Sequence, residues 1–350
     1  MDLKKNLTLL KPYVAGKPLS EKEYIKLNAN ECPLPLPQKL YQKTAKLRSL
    51  NRYHEGSGLA LRKKLSSLHK LDENQFILGN GSGELIQLYL SAFCEKGKEA
   101  VIPENTFSLY EIYALLNESK IEKISMTPAL EIDLDKILAC VHSDTAVIFL
   151  CNPNNPTGHT YSYENLESFF SKIPFTAGIF LDEAYIHFSD IYSEEKTKNL
   201  IQKFKNLFIL RTFSKMGLAG FRIGYGISNS ETIELLNRVR PPFNTNRYAQ
   251  EAAETMLELK EFSLKVIQEN KKERDFLSKQ MQDLGIKVFS SGGNFIFIQS
   301  RPGLDKLLEE SKILIRNAYS FGFSSDYYRI TVGTQKENRI LIKNLRRILK

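Results

Sequence analysis

The sequence predicts an α/β protein, with a large domain built on a mostly parallel sheet and a smaller α+β domain after it. Two observations carry this. Up to about residue 245, short apolar runs rich in Ile, Leu, Val and Phe alternate with longer stretches of helical periodicity, the signature of strand–helix–strand crossovers. Beyond that point the pattern changes to one long charged helical stretch, two strand-like pieces and a closing amphipathic helix. The length of 350 residues leaves room for this division, since a domain takes ~150 residues.

In chain order, strands are expected at 75–78, 100–102, 120–125, 146–150, 178–181, 207–211 and 224–227. The patterns at 59–68, 83–92, 108–116, 163–171 and 196–204 place helices between them. A single helix is expected from Tyr248 to about Gln282, then strands at 287–289 and 294–298. In the last segment Ile340, Leu341, Leu345, Ile348 and Leu349 recur at helical spacing. Lys336, Arg339, Lys343, Arg346, Arg347 and Lys350 fall on the other face, describing a helix packed on a core with its cations in solvent. The expected division is an N-terminal arm over 1–27, a large domain over 28–245 and a small domain over 246–350.

A composition of 42% hydrophobic and 25% charged residues is that of a folded globular chain and excludes disordered and fibrous classes. No run approaches the ~18 apolar residues of a membrane span. The stretch from Met1 to Gly16 alternates Lys and Leu without a secretory apolar block, so a cytoplasmic, unprocessed chain is expected. Cys32, Cys94, Cys140 and Cys151 lie far apart, as do the five histidines, and no metal site is expected. The formal charge of +9 admits nucleic acid, an anionic membrane or small acidic ligands. No nucleic-acid module or basic groove with interleaved aromatics accompanies it.

In a parallel α/β sheet, ligands gather at the carboxyl ends of the strands, and there this sequence is richest. After Leu78 comes Gly79-Asn80-Gly81-Ser82-Gly83-Glu84 and then a helix, a turn whose N–H groups and positive dipole end suit a phosphate. After Leu150 comes Cys151-Asn152-Pro153-Asn154-Asn155-Pro156, where flanking prolines stiffen the backbone and aim one amide. Leu181 is followed by Asp182-Glu183-Ala184-Tyr185, and a buried carboxylate there requires a cationic partner. After Leu210 comes Arg211-Thr212-Phe213-Ser214-Lys215, with Arg222 seven residues on: an amine able to form a Schiff base beside phosphate donors. Together these are the requirements of pyridoxal phosphate.

These segments resemble fold-type I pyridoxal-phosphate enzymes, and within them the histidinol-phosphate aminotransferase family, over nearly the whole chain. The resemblance extends to Leu10-Lys11-Pro12-Tyr13, Leu27-Asn28-Ala29-Asn30-Glu31, Asn51-Arg52-Tyr53, Arg240-Pro241-Pro242-Phe243-Asn244-Thr245-Asn246 and Arg329-Ile330-Thr331-Val332-Gly333-Thr334. It implies that Lys215 holds the cofactor covalently and shuttles the proton, and that Asp182 pairs with the ring nitrogen. It also implies that Asn155 and Tyr185 bond the phenolic oxygen and that Phe107 stacks on the ring. Ser82, Gly83, Ser214 and Arg222, with Thr212 beside them, would hold the phosphate. Tyr13, Asn30, Arg316 and Arg329 would bind substrate, Arg329 gripping a carboxylate and Arg316 a distal phosphate. Tyr13 and Tyr53 would reach into a neighbouring subunit's site, Tyr53 towards the cofactor phosphate, making a homodimer.

The implied reaction is reversible amino transfer between histidinol phosphate and 2-oxoglutarate, serving histidine biosynthesis. Aromatic amino-acid aminotransferase and threonine-phosphate decarboxylase share the scaffold and remain the alternatives. A non-catalytic cofactor-binding regulator or a basic nucleic-acid binder is disfavoured by an intact Lys215, Asp182 and Arg222.

Overall fold

The computed structural model describes residues 24–349. The chain opens with β1 (Ile25–Lys26), α1 (Gln38–Thr44) and α2 (Leu59–His69). Then come β2 (Phe76–Gly79), α3 (Ser82–Phe93), β3 (Glu99–Pro103), α4 (Leu109–Leu116), β4 (Lys120–Ile124), α5 (Leu134–Cys140), β5 (Thr145–Cys151) and α6 (Tyr163–Phe170). This half closes with β6 (Gly178–Asp182), α7 (Glu194–Lys203), β7 (Leu207–Thr212), β8 (Gly224–Ile227) and α8 (Ser230–Val239). After it stand α9 (Arg247–Glu258), α10 (Lys260–Gln282), β9 (Lys287–Phe289), β10 (Phe295–Gln299) and α11 (Leu304–Glu310). The last elements are β11 (Ile313–Leu314), β12 (Arg316–Asn317), β13 (Tyr327–Thr331) and α12 (Gln335–Ile348).

All seven apolar runs before residue 228 join one sheet, in the order β2-β8-β7-β6-β5-β3-β4. Its pairings are parallel except at β8, which runs antiparallel to both β7 and β2. The central strands read as continuous apolar runs because both faces are covered. Alternation divides them: Phe149, Phe180, Phe208 and Leu210 pack with α3 and α4 on one face. Ile148, Leu181 and Ile209 pack with α2, α6 and α9 on the other.

The second unit is a four-stranded antiparallel sheet, β12-β13-β10-β9, against which Leu277 of α10 and Leu341 and Leu345 of α12 are buried. Beside it β1 pairs in parallel with β11.

Three features differ from the sequence reading. The expected helix over 248–282 is two, broken at Leu259 with φ −88° and ψ 52°. Leu257, Leu259 and Phe262 all pack against the main core. Residues two apart lie on nearly opposite faces of a straight helix, so the break is what brings both leucines to the core. Packing also crosses the expected domain bounds. Ala249, Ala252, Ala253 and Met256 of α9 are buried with Leu40 and Leu61, whereas Leu27 joins Leu277, Ile296 and Tyr328 of the second unit. Short elements escape a periodicity search: α1 and α5 are seven residues each and β12 is two. Among the described residues no helix is long and apolar enough to cross a membrane.

Candidate active site

Because β2, β3, β5, β6 and β7 run in the same direction, their carboxyl ends share one edge, and antiparallel β8 begins there, bringing Arg222 to it. The register pairs Thr212 with Gly224 and Gly79 with Gly224, so the β7 and β2 ends flank the start of β8. A Cβ on Gly224 would stand 3.0 Å from the Arg211 carbonyl oxygen and 3.1 Å from the Ser82 nitrogen. Glycine is therefore what lets α3 begin against the sheet.

Asp182 ends β6, buried, on the face that carries Phe180. Its Oδ2 accepts from the Tyr110 hydroxyl at 2.6 Å and its Oδ1 from the Ala184 N–H at 2.9 Å. Burial pushes its pKa up to about 6, opposed by those two bonds and by the Lys215 charge. The expected cationic partner is thus met here by hydrogen bonds, with Lys215 as a nearby charge. Lys215 sits in a single 3-10 turn after β7, its Nζ 5.5 Å from the Tyr185 ring centroid. Burial lowers its pKa to about 8, helped by the Arg329 charge and opposed by Glu31.

Tyr185 receives the Asn30 Nδ2 donor at its hydroxyl, 3.2 Å away. Asn155 accepts from Arg329 Nη1 at 2.5 Å, so residues expected to serve cofactor and substrate separately are in direct contact. The other Arg329 nitrogen, Nη2, donates to the Asn28 carbonyl at 2.9 Å. Phe107 stands edge-on to Tyr110, with ring centroids 5.7 Å apart.

Ser82 is the first residue of α3, whose N-terminus has no side-chain cap. Gly81, with φ +76°, precedes it, and a Cβ there would lie 2.3 Å from Arg222 Nη2. The guanidinium thus closes over bare backbone beside the helix N-terminus, with Gly83 one residue further on. The Thr212 and Ser214 hydroxyls are 3.0 Å apart on the neighbouring strand end. These are fitted parts for a phosphate: uncapped N–H groups, two hydroxyls and a guanidinium. A buried carboxylate and an amine of lowered basicity on adjacent strand ends fit the ring and aldehyde of pyridoxal phosphate.

One expected residue stands apart. Tyr53 is 85% exposed, stacked on Phe243 at 4.6 Å, and touches nothing at this strand edge. Tyr13 lies outside the described residues. Arg316 and Arg329 face each other in register across β12 and β13.

Sequence reasoning missed Tyr110, Asn28 and Thr106. The apolar face of α4 hides Tyr110, and only the pairing of β6 with its neighbours brings it to Asp182. Thr106 donates to Asn154 Oδ1 at 2.8 Å and so holds the loop before Asn155. The reverse face was also missed. There fully buried Arg211 donates to Glu183 Oε2 from Nε at 2.9 Å and from Nη2 at 2.7 Å, and reaches Glu194 Oε2 at 3.1 Å. Glu194, in the first turn of α7, lies 2.5 Å from His69 in the last turn of α2. Burial lifts the Glu183 pKa while Arg211 holds it down.

The model for aminotransferases of class I and II matches residues 22–345. The chain is 34% identical over 365 residues to the histidinol-phosphate aminotransferase of Bacillus pumilus, covering 100% of this chain and 99% of that one. It is 33% identical to that of Bacillus subtilis strain 168, covering 100% of both. The histidinol-phosphate aminotransferase of Sinorhizobium meliloti, solved in complex with pyridoxal-5'-phosphate, shares the fold. Its TM-score is 0.90 at 22% identity, over 99% of this chain and 97% of that one.

Proposed function

The chain belongs to the class I and II aminotransferase family, and from that premise we propose that it is a pyridoxal-phosphate-dependent histidinol-phosphate aminotransferase. It moves an amino group reversibly between histidinol phosphate and 2-oxoglutarate, giving imidazole acetol phosphate and glutamate. The carrying observation is full-length identity of about one third to enzymes of that name, in a chain that sets Lys215 and Asp182 at adjacent strand ends.

When bound, pyridoxal phosphate supplies an electron sink that stabilises negative charge at the carbon bearing the amino group. The protein does the rest. Lys215 Nζ holds the cofactor and then moves a proton to and from the substrate's α-carbon. A pKa of about 8 keeps a useful fraction of this amine neutral near physiological pH. Asp182, oriented by Tyr110 and the Ala184 N–H, holds a proton on the ring nitrogen. Asn155 and Tyr185 would hydrogen-bond the phenolic oxygen, and Phe107 would cover the ring. Ser82, Gly83, Thr212, Ser214 and Arg222 would receive the cofactor phosphate. Arg329 and Arg316 would receive the anionic end of the substrate beside Asn30, and Tyr13 would serve the partner subunit's site.

Exposed Tyr53, stacked on Phe243, supports a homodimer in which Tyr53 completes the partner's phosphate site. A cytoplasmic location accords with this metabolic role. Half-reactions of the holoenzyme, followed by cofactor absorbance with histidinol phosphate, glutamate, phenylalanine and O-phosphothreonine in turn, test the reading. Histidinol phosphate and glutamate should react fastest. Carbon dioxide release from O-phosphothreonine without an oxo-acid acceptor, or a clear preference for phenylalanine, would overturn it.

A further inference from the structure

Arg316 and Arg329 stand directly opposite each other across an antiparallel pair. Like charges so placed repel, and something must hold them there. Between the two strands the chain makes a 3-10 turn, Ala318–Phe321, that folds the Phe321 ring back over both. The ring centroid is 5.8 Å from the Arg316 guanidinium carbon and 5.6 Å from that of Arg329. Arg316 Nη2 also donates to Ser320 in the same turn at 3.0 Å. The turn is pinned from the other unit, since Asn105, in the loop after β3, donates from Nδ2 to the Phe321 carbonyl at 2.7 Å. That loop is held in turn by Asn154, whose Nδ2 donates to the Asn105 carbonyl at 3.0 Å. A Cβ at the next residue, Gly322, would come within 3.0 Å of Asn105 Nδ2, so glycine permits the approach.

We propose that Phe321 is a specificity-determining residue: pinned through Asn105, its ring fixes the separation of the Arg316 and Arg329 guanidiniums so that together they select a phosphate monoester. The inference rests on the reading of these arginines as anion receivers. A carboxylate has two oxygens and is satisfied by one guanidinium fork. A phosphate monoester carries close to two charges on three oxygens and profits from two. Loosening the second cation therefore penalises a phosphorylated amino donor far more than a monocarboxylate.

The test compares wild-type holoenzyme with Phe321→Ala, the near-isosteric Phe321→Leu and Asn105→Ala. It measures kcat/KM for histidinol phosphate and for phenylalanine, and the inhibition constant of inorganic phosphate. Loss of two cation–π contacts should cost histidinol phosphate about five- to thirtyfold, mainly in KM, and weaken phosphate inhibition alike, with phenylalanine changing less than about threefold. Phe321→Leu should resemble Phe321→Ala, and Asn105→Ala should shift both phosphate readouts the same way. Equal losses for both donors, or unchanged phosphate inhibition, overturn the proposal. Arg316→Ala separates the two levels. If it too leaves phosphate inhibition unchanged, the reading of the arginines fails, whereas if it alone weakens inhibition, only the role of Phe321 fails.

Discussion

The pair on the reverse face of the sheet offers the sharpest test of how the strand ends are held. Arg211 and Glu183 are both fully buried, and Glu183 accepts two guanidinium donors. Arg211→Met removes the cation and leaves the carboxylate in a dry site with only the Tyr163 hydroxyl, 3.3 Å away. Breaking a buried pair from one side costs about 3–5 kcal/mol. At about 2–3 °C per kcal/mol for a chain of this size, the melting temperature should fall by roughly 6–15 °C. The loss should depend on pH. Without Arg211 the folded-state pKa of Glu183 rises further above its unfolded value, so the variant suffers no penalty from this group below about pH 4 and an increasing one as pH rises. In the wild type, Glu194, held down to about 2 in part by Arg211, loses its stabilisation as pH falls. From pH 8 to about 5 the Glu183 effect alone narrows the gap, and the Glu194 effect adds to it only below that. Thermal melts of wild type, Arg211→Met and Arg211→Met/Glu183→Leu between pH 4.5 and 8 measure this, and the double variant should recover much of the loss. A single variant within about 1 kcal/mol of wild type at pH 8, or a gap that ignores pH, refutes the reasoning.

Lys215→Ala should abolish amino transfer while the protein still folds, and full activity in that variant would sink the mechanism. In the apo-protein, the rate at which pyridoxal phosphate is captured should climb with pH to a midpoint near 8, because only the neutral amine attacks. Arg329→Met removes a charge that lowers the Lys215 pKa, so the same titration should move to higher pH. An unmoved midpoint would show that burial alone sets it. Tyr53→Phe should weaken cofactor affinity about ten- to 150-fold, the worth of one hydroxyl bond to a charged group, with an unchanged melting temperature of the apo-protein. Equal affinity would remove Tyr53 from the phosphate site.

The strands of the large sheet were legible because each is an apolar run bounded by turn residues, and because a strand buried on both faces needs no alternation to be recognised. Strand-end polar residues were legible for the same reason. Asp182, Lys215 and Asn155 interrupt apolar context at the one edge where a parallel sheet gathers ligands. What stayed hidden depends on contacts distant in sequence. Nothing local distinguishes Tyr110 from its apolar neighbours on α4, yet its hydroxyl meets a carboxylate 72 residues away. The contact of Asn155 with Arg329 spans 174 residues and joins two units that the sequence could only describe separately. The break at Leu259 carries no glycine or proline and follows only from where the core lies.

Strand alternation at the ends of β6 and β7 has a consequence for how such a protein changes over generations. Asp182 and Thr212 look towards the chemistry; Glu183 and Arg211, one residue along, look the other way and anchor the helices behind. These adjacent positions share no face and none of their hydrogen-bond partners. Arg316 and Arg329 sit on a separate sheet altogether. A lineage can exchange what it recognises by altering β12 or the turn at Phe321, but a change at Arg329 of β13 also reaches the strand ends, because Arg329 bonds Asn155 and its charge lowers the Lys215 pKa. Substrate range is thus tied to the strand ends through Arg329, and drift in one is constrained by the other.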